Sequence, residues 1–165
     1  MHAEVRRFVL EQCSASLFGR VVEFGSLNVN GGVRDIVAHQ AWWGIDLQAG
    51  PGVDQVGDCR DYYPLSKADL VLCLEVLEHS DDAAGICEAA GRVLRPGGLF
   101  VMTCAGPGRQ PHGRDGGDVG SEYYRNVSAV EFREFVSWGE VRVLVEDHAA
   151  GDLRAVVVKG PDGDA

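Results

Sequence analysis

Apolar positions along the chain fall into two rhythms. Val5, Phe8, Val9, Cys13 and Leu17 recur at near-helical spacing and predict a leading amphipathic helix over residues 3–18. Short, predominantly apolar runs follow: VVEFG at 21–25, WWGIDL at 42–47, ADLVLCL at 68–74 and GLFVMTC at 98–104. Runs of this kind suit strands buried on both faces of a parallel sheet. VDQVGD (53–58) predicts a short third strand. Between them, GGVRDIVAH (31–39) predicts a helix whose two leading glycines weaken its start.

The strongest helical signal is SDDAAGICEAAGRVLRPGG, residues 80–98. Ser80 caps it, Asp81 and Asp82 suit the positive first turn, and Pro96 with Gly97-Gly98 stops it. Ile86, Ala90, Val93 and Leu94 share one face. Ser128-x-x-Glu131 forms a capping box ahead of a helix bearing Val130, Phe132, Phe135 and Val136. VRVLVED (141–147) and RAVVVKG (154–160), joined through AAGD, predict a closing antiparallel hairpin. Alternating strands and helices imply an α/β fold, a doubly wound and mostly parallel sheet in three αβα layers. Ligands on such sheets bind beyond the carboxyl ends of the strands.

The 165 residues are expected to form one domain, 1–165, with a hydrophobic content of 45%. Residues 105–120, AGPGRQPHGRDGGDVG, read as a loop that continues to residue 127, long enough to be functional. No apolar run approaches the roughly 18 residues of a membrane span, and the charged N-terminus lacks a secretory core. The net charge of −10 argues against nucleic acid as the main partner. Five cysteines, an odd number without C-x-x-C spacing, read as reduced thiols of a cytoplasmic protein. The histidines make no H-x-x-x-H pair, so no metal site is expected. Monomer and homodimer both stay open, with Trp42-Trp43 and the leading helix as candidate contact surfaces.

Four features fall at predicted strand ends. Glu23-x-Gly25 opens a loop reaching Gly31, in which Asn28 and Asn30 stand where a dinucleotide fingerprint has glycines. Asn tolerates left-handed backbone best after Gly, so the loop can keep its geometry; an ordinary strand-to-helix turn is the alternative. Asp46 closes the second strand, where a carboxylate can accept from a ribose diol or merely face solvent. Asp58, followed by Cys59, can accept from an adenine amine while the next N–H meets a ring nitrogen; a turn aspartate is the plainer reading. Glu75-Val76-Leu77-Glu78-His79 sets acids and an imidazole beside the expected cleft. A nicotinamide site calls for an acid neither within the first strand nor after the third.

The stretch ADLVLCLEVLEHSDDAAGICEAAGRVLRPGGLFVMT, with its LEVLEH strand end and VLRPGG helix end, resembles the class I S-adenosylmethionine-dependent methyltransferases of the small, single-domain, type-11-like group. The resemblance extends over residues 20–105. It implies a Rossmann-like seven-stranded sheet ending in an antiparallel hairpin. It places Glu23, Gly25, Ser26, Asn28 and Asn30 in the cofactor loop and Asp46 on the ribose hydroxyls. Leu47 then packs beside the adenine, Asp58 and Cys59 read the adenine edge, and Glu75 lies beneath the methionine moiety. His79 matches the histidine of that family's EH pair. The first motif departs from the family's E-x-G-x-G-x-G.

The resemblance implies S-adenosylmethionine as cofactor, S-adenosylhomocysteine as product, and methyl transfer by in-line displacement to an O, N or C atom. A small molecule or sugar is the expected acceptor. His79 and His112 are the candidate bases. Tyr123 and Tyr124, in a YYR segment similar to one found over that family's active site, are candidate acceptor contacts. Packing of the loop is the alternative for both tyrosines. Arg109, with His112 and Arg114, can hold an acidic group or be neutralised by Asp115 and Asp118. A catalytically silent cofactor-binding partner or regulatory module is the alternative function.

Overall fold

The computed structural model describes residues 3–161. Residues 1–2 and 162–165 lie outside it. A seven-stranded sheet runs in the order β3-β2-β1-β4-β5-β7-β6. Its strands are β1 (Phe18–Phe24), β2 (His39–Asp46), β3 (Gln55–Val56), β4 (Ala68–Leu74), β5 (Leu94–Ala105), β6 (Gly139–Asp147) and β7 (Asp152–Lys159). β1 pairs in parallel with β2 and β4, as do β2 with β3 and β4 with β5. β7 lies antiparallel between β5 and β6, as the terminal hairpin predicted.

Helix α1 (Ala3–Cys13) covers one face of the sheet, and α2 (Ala83–Val93) with α3 (Ala129–Phe135) covers the other. The apolar strand runs explain this. Successive side chains alternate across a strand, so Val21, Leu70 and Leu72 meet Val5, Phe8 and Val9 of α1. Val22, Val71 and Phe100 face Ile86, Ala90 and Phe132 of α2 and α3. The predicted capping box closes α3: Ser128 Oγ accepts from Glu131 N at 3.3 Å, and Glu131 Oε2 from Ser128 N at 3.0 Å.

The helix expected over 31–39 does not form. Gly31 sits at φ 98°, and the segment makes a single turn, with Ile36 N donating to Val33 O at 3.0 Å, before β2 begins at His39. The Arg6 guanidinium takes the Gly32 carbonyl that a helix would spend on residue 36, and it pairs with Asp35 at 2.8 Å. Two glycines, three β-branched residues and a short span leave too little to overcome the cost of a helix nucleus.

Three other boundaries shift. The leading helix stops at Cys13, and Leu17 is exposed. Leu77–His79 form a 3-10 turn, so Ser80 is extended and Asp82 caps α2, accepting from Gly85 N at 2.9 Å. Residues 94–98 join β5 rather than α2, with an irregular register around Pro96-Gly97-Gly98 where Leu94 pairs with Ala68 and Leu99 with Leu70. Trp42 is buried while Trp43 is exposed, so the pair does not form one contact surface.

Candidate active site

Strand order reverses between β1 and β4, and a cleft of about 700 Å³ opens over the carboxyl ends of β1, β2 and β4. Gly25 ends β1 at φ 72°. A Cβ there would lie 2.2 Å from Val76 Cγ2, so only glycine lets the two strand-end loops meet. Gly25 N and Ser26 N donate to Ile45 O at 2.9 and 3.1 Å. The Asp46 carboxylate braces the same loop: Oδ2 accepts from Leu27 N and Oδ1 from Gln48 N, each at 3.0 Å.

Asn28 and Asn30 do not act as left-handed substitutes for glycine. Glu75 is the only non-glycine residue at positive φ among the described residues. Asn28 instead accepts from Gly31 N at 2.8 Å through its side chain, a local turn in which Gly31 alone takes the left-handed backbone. Gly25, Asn30, Asp46 and Leu47 line the cleft, as do Asp58, Cys59 and Glu75. His79 and His112 line its other end. Glu23, Ser26 and Asn28 border a smaller adjoining cavity of about 260 Å³. Glu23 is buried and accepts from Trp42 Nε1 at 3.2 Å; burial pushes its carboxyl up to about 7.

Asp58 is engaged by a residue the sequence reading overlooked. Its carboxylate accepts from Arg60 N at 2.9 Å and from Arg60 Nη2 at 2.6 Å, and Arg60 also reaches Asp82 at 3.0 Å. The Arg60 hydrogen bond holds the Asp58 carboxyl below the usual range. Asp58 thus caps the 3-10 turn Cys59–Asp61 while forming part of the cleft wall.

Glu75 leaves β4 at φ 59°, a strained conformation for a side-chain-bearing residue. Its N–H donates to Thr103 O at 2.8 Å, and its Oε1 accepts from Thr103 Oγ1 at 2.9 Å. These bonds to β5 hold the strain in place. Beyond it, Glu78 is completely buried, its Oε1 accepting from Ala105 N at 3.1 Å. Burial, then the Glu75 charge, pushes its carboxyl up to about 8. His79 is pushed down to about 4, first by burial and then by His112 and Arg114. The rings of His79, His112 and Tyr124 meet edge to face, with centroids 5.0 to 5.6 Å apart. Burial raises the Tyr124 hydroxyl to about 12.

The remaining candidates are placed differently. Arg109 is tied to Asp152 of β7 and lies 3.9 Å from Glu75 Oε2. Tyr123 is exposed on the loop and, like Tyr124 and Arg109, is not part of the cleft lining. Glu78 was visible only as a letter of the EVLEH segment, because no local pattern distinguishes a buried glutamate from a solvated one.

Residues 41–102 match the family model described as "Methyltransferase domain". The ubiquinone biosynthesis O-methyltransferase of Marinobacter nauticus is 35% identical over 86 residues, which are 50% of this chain and 35% of that protein. The match thus spans about a third of the length of that curated relative. Among solved structures, the complex between the Haloferax volcanii Trm112 methyltransferase activator and the putative methyltransferase aligns with a TM-score of 0.74 at 17% identity, covering 99% of this chain and 92% of that one. The N-methyltransferase NodS of Bradyrhizobium japonicum, in complex with S-adenosylhomocysteine, aligns with a TM-score of 0.69 at 13% identity, covering 94% of this chain and 86% of that one. The chain has the class I methyltransferase fold. Residues 41–102, less than half of the chain, carry the match to the methyltransferase-domain family.

Proposed function

We propose that the chain transfers a methyl group from S-adenosylmethionine to an O, N or C atom of a small-molecule or sugar acceptor. The observation that carries this reading is the convergence of Gly25, Asp46 and Glu75 on one cleft whose far end is walled by His79 and His112. The residues present fit an adenosyl cofactor. A carboxylate offers about four acceptor directions. The loop takes one on each Asp46 oxygen, leaving room for a ribose diol. Leu47 is exposed at the same rim and suits the adenine face. Arg60 orients Asp58 beside Cys59 at the adenine edge.

When bound, the cofactor supplies an electrophilic methyl group and a sulfide leaving group. The chain's own work is then to align an acceptor and exclude water. Gly25 and the strained Glu75 backbone fix the methionine end, with Glu23, Ser26 and Asn28 supporting the loop from the side cavity. His79 is neutral above about pH 4 and can accept a hydrogen bond from an acceptor O–H or N–H. His112 approaches from the loop over β5, where Tyr124 backs both rings. Tyr123 and Arg109 act indirectly in this scheme, Arg109 by anchoring the loop to β7. The five buried free thiols support a reducing, cytoplasmic setting. Among the described residues no helix is long and apolar enough to cross a membrane.

Calorimetric titration with S-adenosylmethionine, S-adenosylhomocysteine and NAD tests the reading, with Asp46→Ala as control. Both adenosyl ligands should bind and NAD should not. Loss of two hydrogen bonds to a charged group should weaken adenosyl binding by roughly 100-fold or more. A folded protein that binds neither adenosyl ligand would overturn the proposal.

A further inference from the structure

We propose that Glu78, His79 and His112 form a binding site for a first-row divalent cation of the zinc or cobalt kind, at the acceptor end of the cleft. Two chain segments build it. Glu78 and His79 are adjacent in the 3-10 turn after β4, and His112 comes from the loop after β5. One ligand atom from each residue lies within 4.8 Å of the other two.

Two buried polar atoms point to a missing partner. Glu78 has no accessible surface; its Oε1 is spent on Ala105 N, yet its Oε2 has no hydrogen-bond partner among the described residues. His79 Nδ1 is likewise buried without one. An unsatisfied buried carboxyl oxygen is costly whether or not it carries a proton, because a protonated acid still needs an acceptor. A cation shared with two imidazoles would satisfy it.

The chemistry of the donors narrows the cation. Two nitrogens and a carboxylate favour zinc, cobalt or iron(II) over magnesium or calcium. Three protein ligands leave a coordination position open, here toward the cleft that His79 and His112 line. His112 Nδ1 lies 3.1 Å from Gln110 O, the kind of backbone contact that fixes a tautomer with Nε2 free to ligate. Tetrahedral ligands at about 2.0–2.1 Å from a metal lie roughly 3.4 Å apart, so ligand atoms now within 4.8 Å of one another would draw together by at most about 1.4 Å. Arg114, whose Nη2 is 3.5 Å from His79 O, opposes the cation, while Glu75 and Glu122 favour it. The site stands independently of the methyltransferase reading. Its use, to polarise and orient an acceptor oxygen at the open position in place of the hydrogen bond to His79, whose one lone pair the cation takes, rests on that reading.

The test is titration of chelator-treated, tag-free protein with Co²⁺, followed by visible absorption, and with Zn²⁺ in competition. Wild type should bind one equivalent of each. Glu78→Gln keeps an acceptor for Ala105 N, and His112→Ala changes an exposed loop, so both should fold. Each should weaken Co²⁺ binding by more than about 100-fold, since losing even an outer partner of a ligand costs 10–100-fold. No saturable Co²⁺ binding, or binding unchanged in both variants, overturns the site. Titrating S-adenosylhomocysteine in parallel separates the two proposals. Co²⁺ binding without the nucleoside sinks only the transferase reading, and the nucleoside without Co²⁺ sinks only the metal site.

Discussion

Replacing Gly25 with alanine tests how the β1 loop and the β4 loop meet. Gly25 adopts φ 72°, where an L side chain is strained by about 1–2 kcal/mol. The new Cβ would stand 2.2 Å from Val76 Cγ2, well short of the 3.4 Å at which ordinary contact begins. Overpacking of this kind costs about 1–3 kcal/mol. A total of about 3 kcal/mol should lower Tm by roughly 6–12 °C in a domain of this size. Val76→Ala removes the obstructing methyls and should by itself cost only about 1 kcal/mol. Combined, the two changes should cost less than their sum by about 1–2 kcal/mol, leaving chiefly the backbone strain. Urea unfolding of the four proteins measures the cycle. S-adenosylhomocysteine titration of the double variant then asks whether the loop still binds. Two results refute the reasoning: additive costs within about 0.5 kcal/mol, or a Gly25→Ala protein as stable as wild type.

Glu23 and the cysteines supply further checks. The Glu23 carboxyl titrates near 7 in the fold against roughly 4.3 unfolded, so the folded protein holds the extra proton between them and stability should fall as pH rises through that window. Glu78 acts with the same sign up to about 8, and His79 with the opposite sign between about 4 and 6.5. Glu23→Gln should therefore flatten the fall in Tm between about pH 5 and pH 7, and curves parallel to wild type would refute its burial cost. Cys59, which lines the cleft and retains 9% exposure, should be the first thiol modified by a maleimide, with the others reacting only on unfolding. S-adenosylhomocysteine should slow that reaction at least about tenfold at saturation, because a ligand in the cleft covers the thiol; modification of another cysteine first, or no protection, would place the ligand elsewhere.

The strand positions and the terminal hairpin were legible because burial on both faces of a sheet favours predominantly apolar runs, which the chain displays at β1, β4 and β5. The α3 capping box was legible for a related reason, since its partners lie three residues apart and satisfy one another locally. Acids at strand ends could likewise be read, for the fold brings carboxyl ends to one edge. The 31–39 segment failed because its fate depends on Arg6, a residue of α1 that captures the Gly32 carbonyl. Asn28 was singled out for the wrong mechanism: its side chain, not a left-handed backbone, closes the turn.

The chain by itself determined the α/β alternation, the glycine at the end of β1 and the acids at the ends of β2 and β4, since periodicity and turn chemistry act over a few residues. Only the tertiary structure decided what those groups do. It committed Arg60 to Asp82 and Arg109 to Asp152, buried Glu78 next to the strained Glu75, and set His112 against His79 across 32 residues of intervening chain. The reason is physical: a charge's partner and its loss of water are set by which segments pack together, and that is a property of the folded sheet rather than of any stretch of sequence.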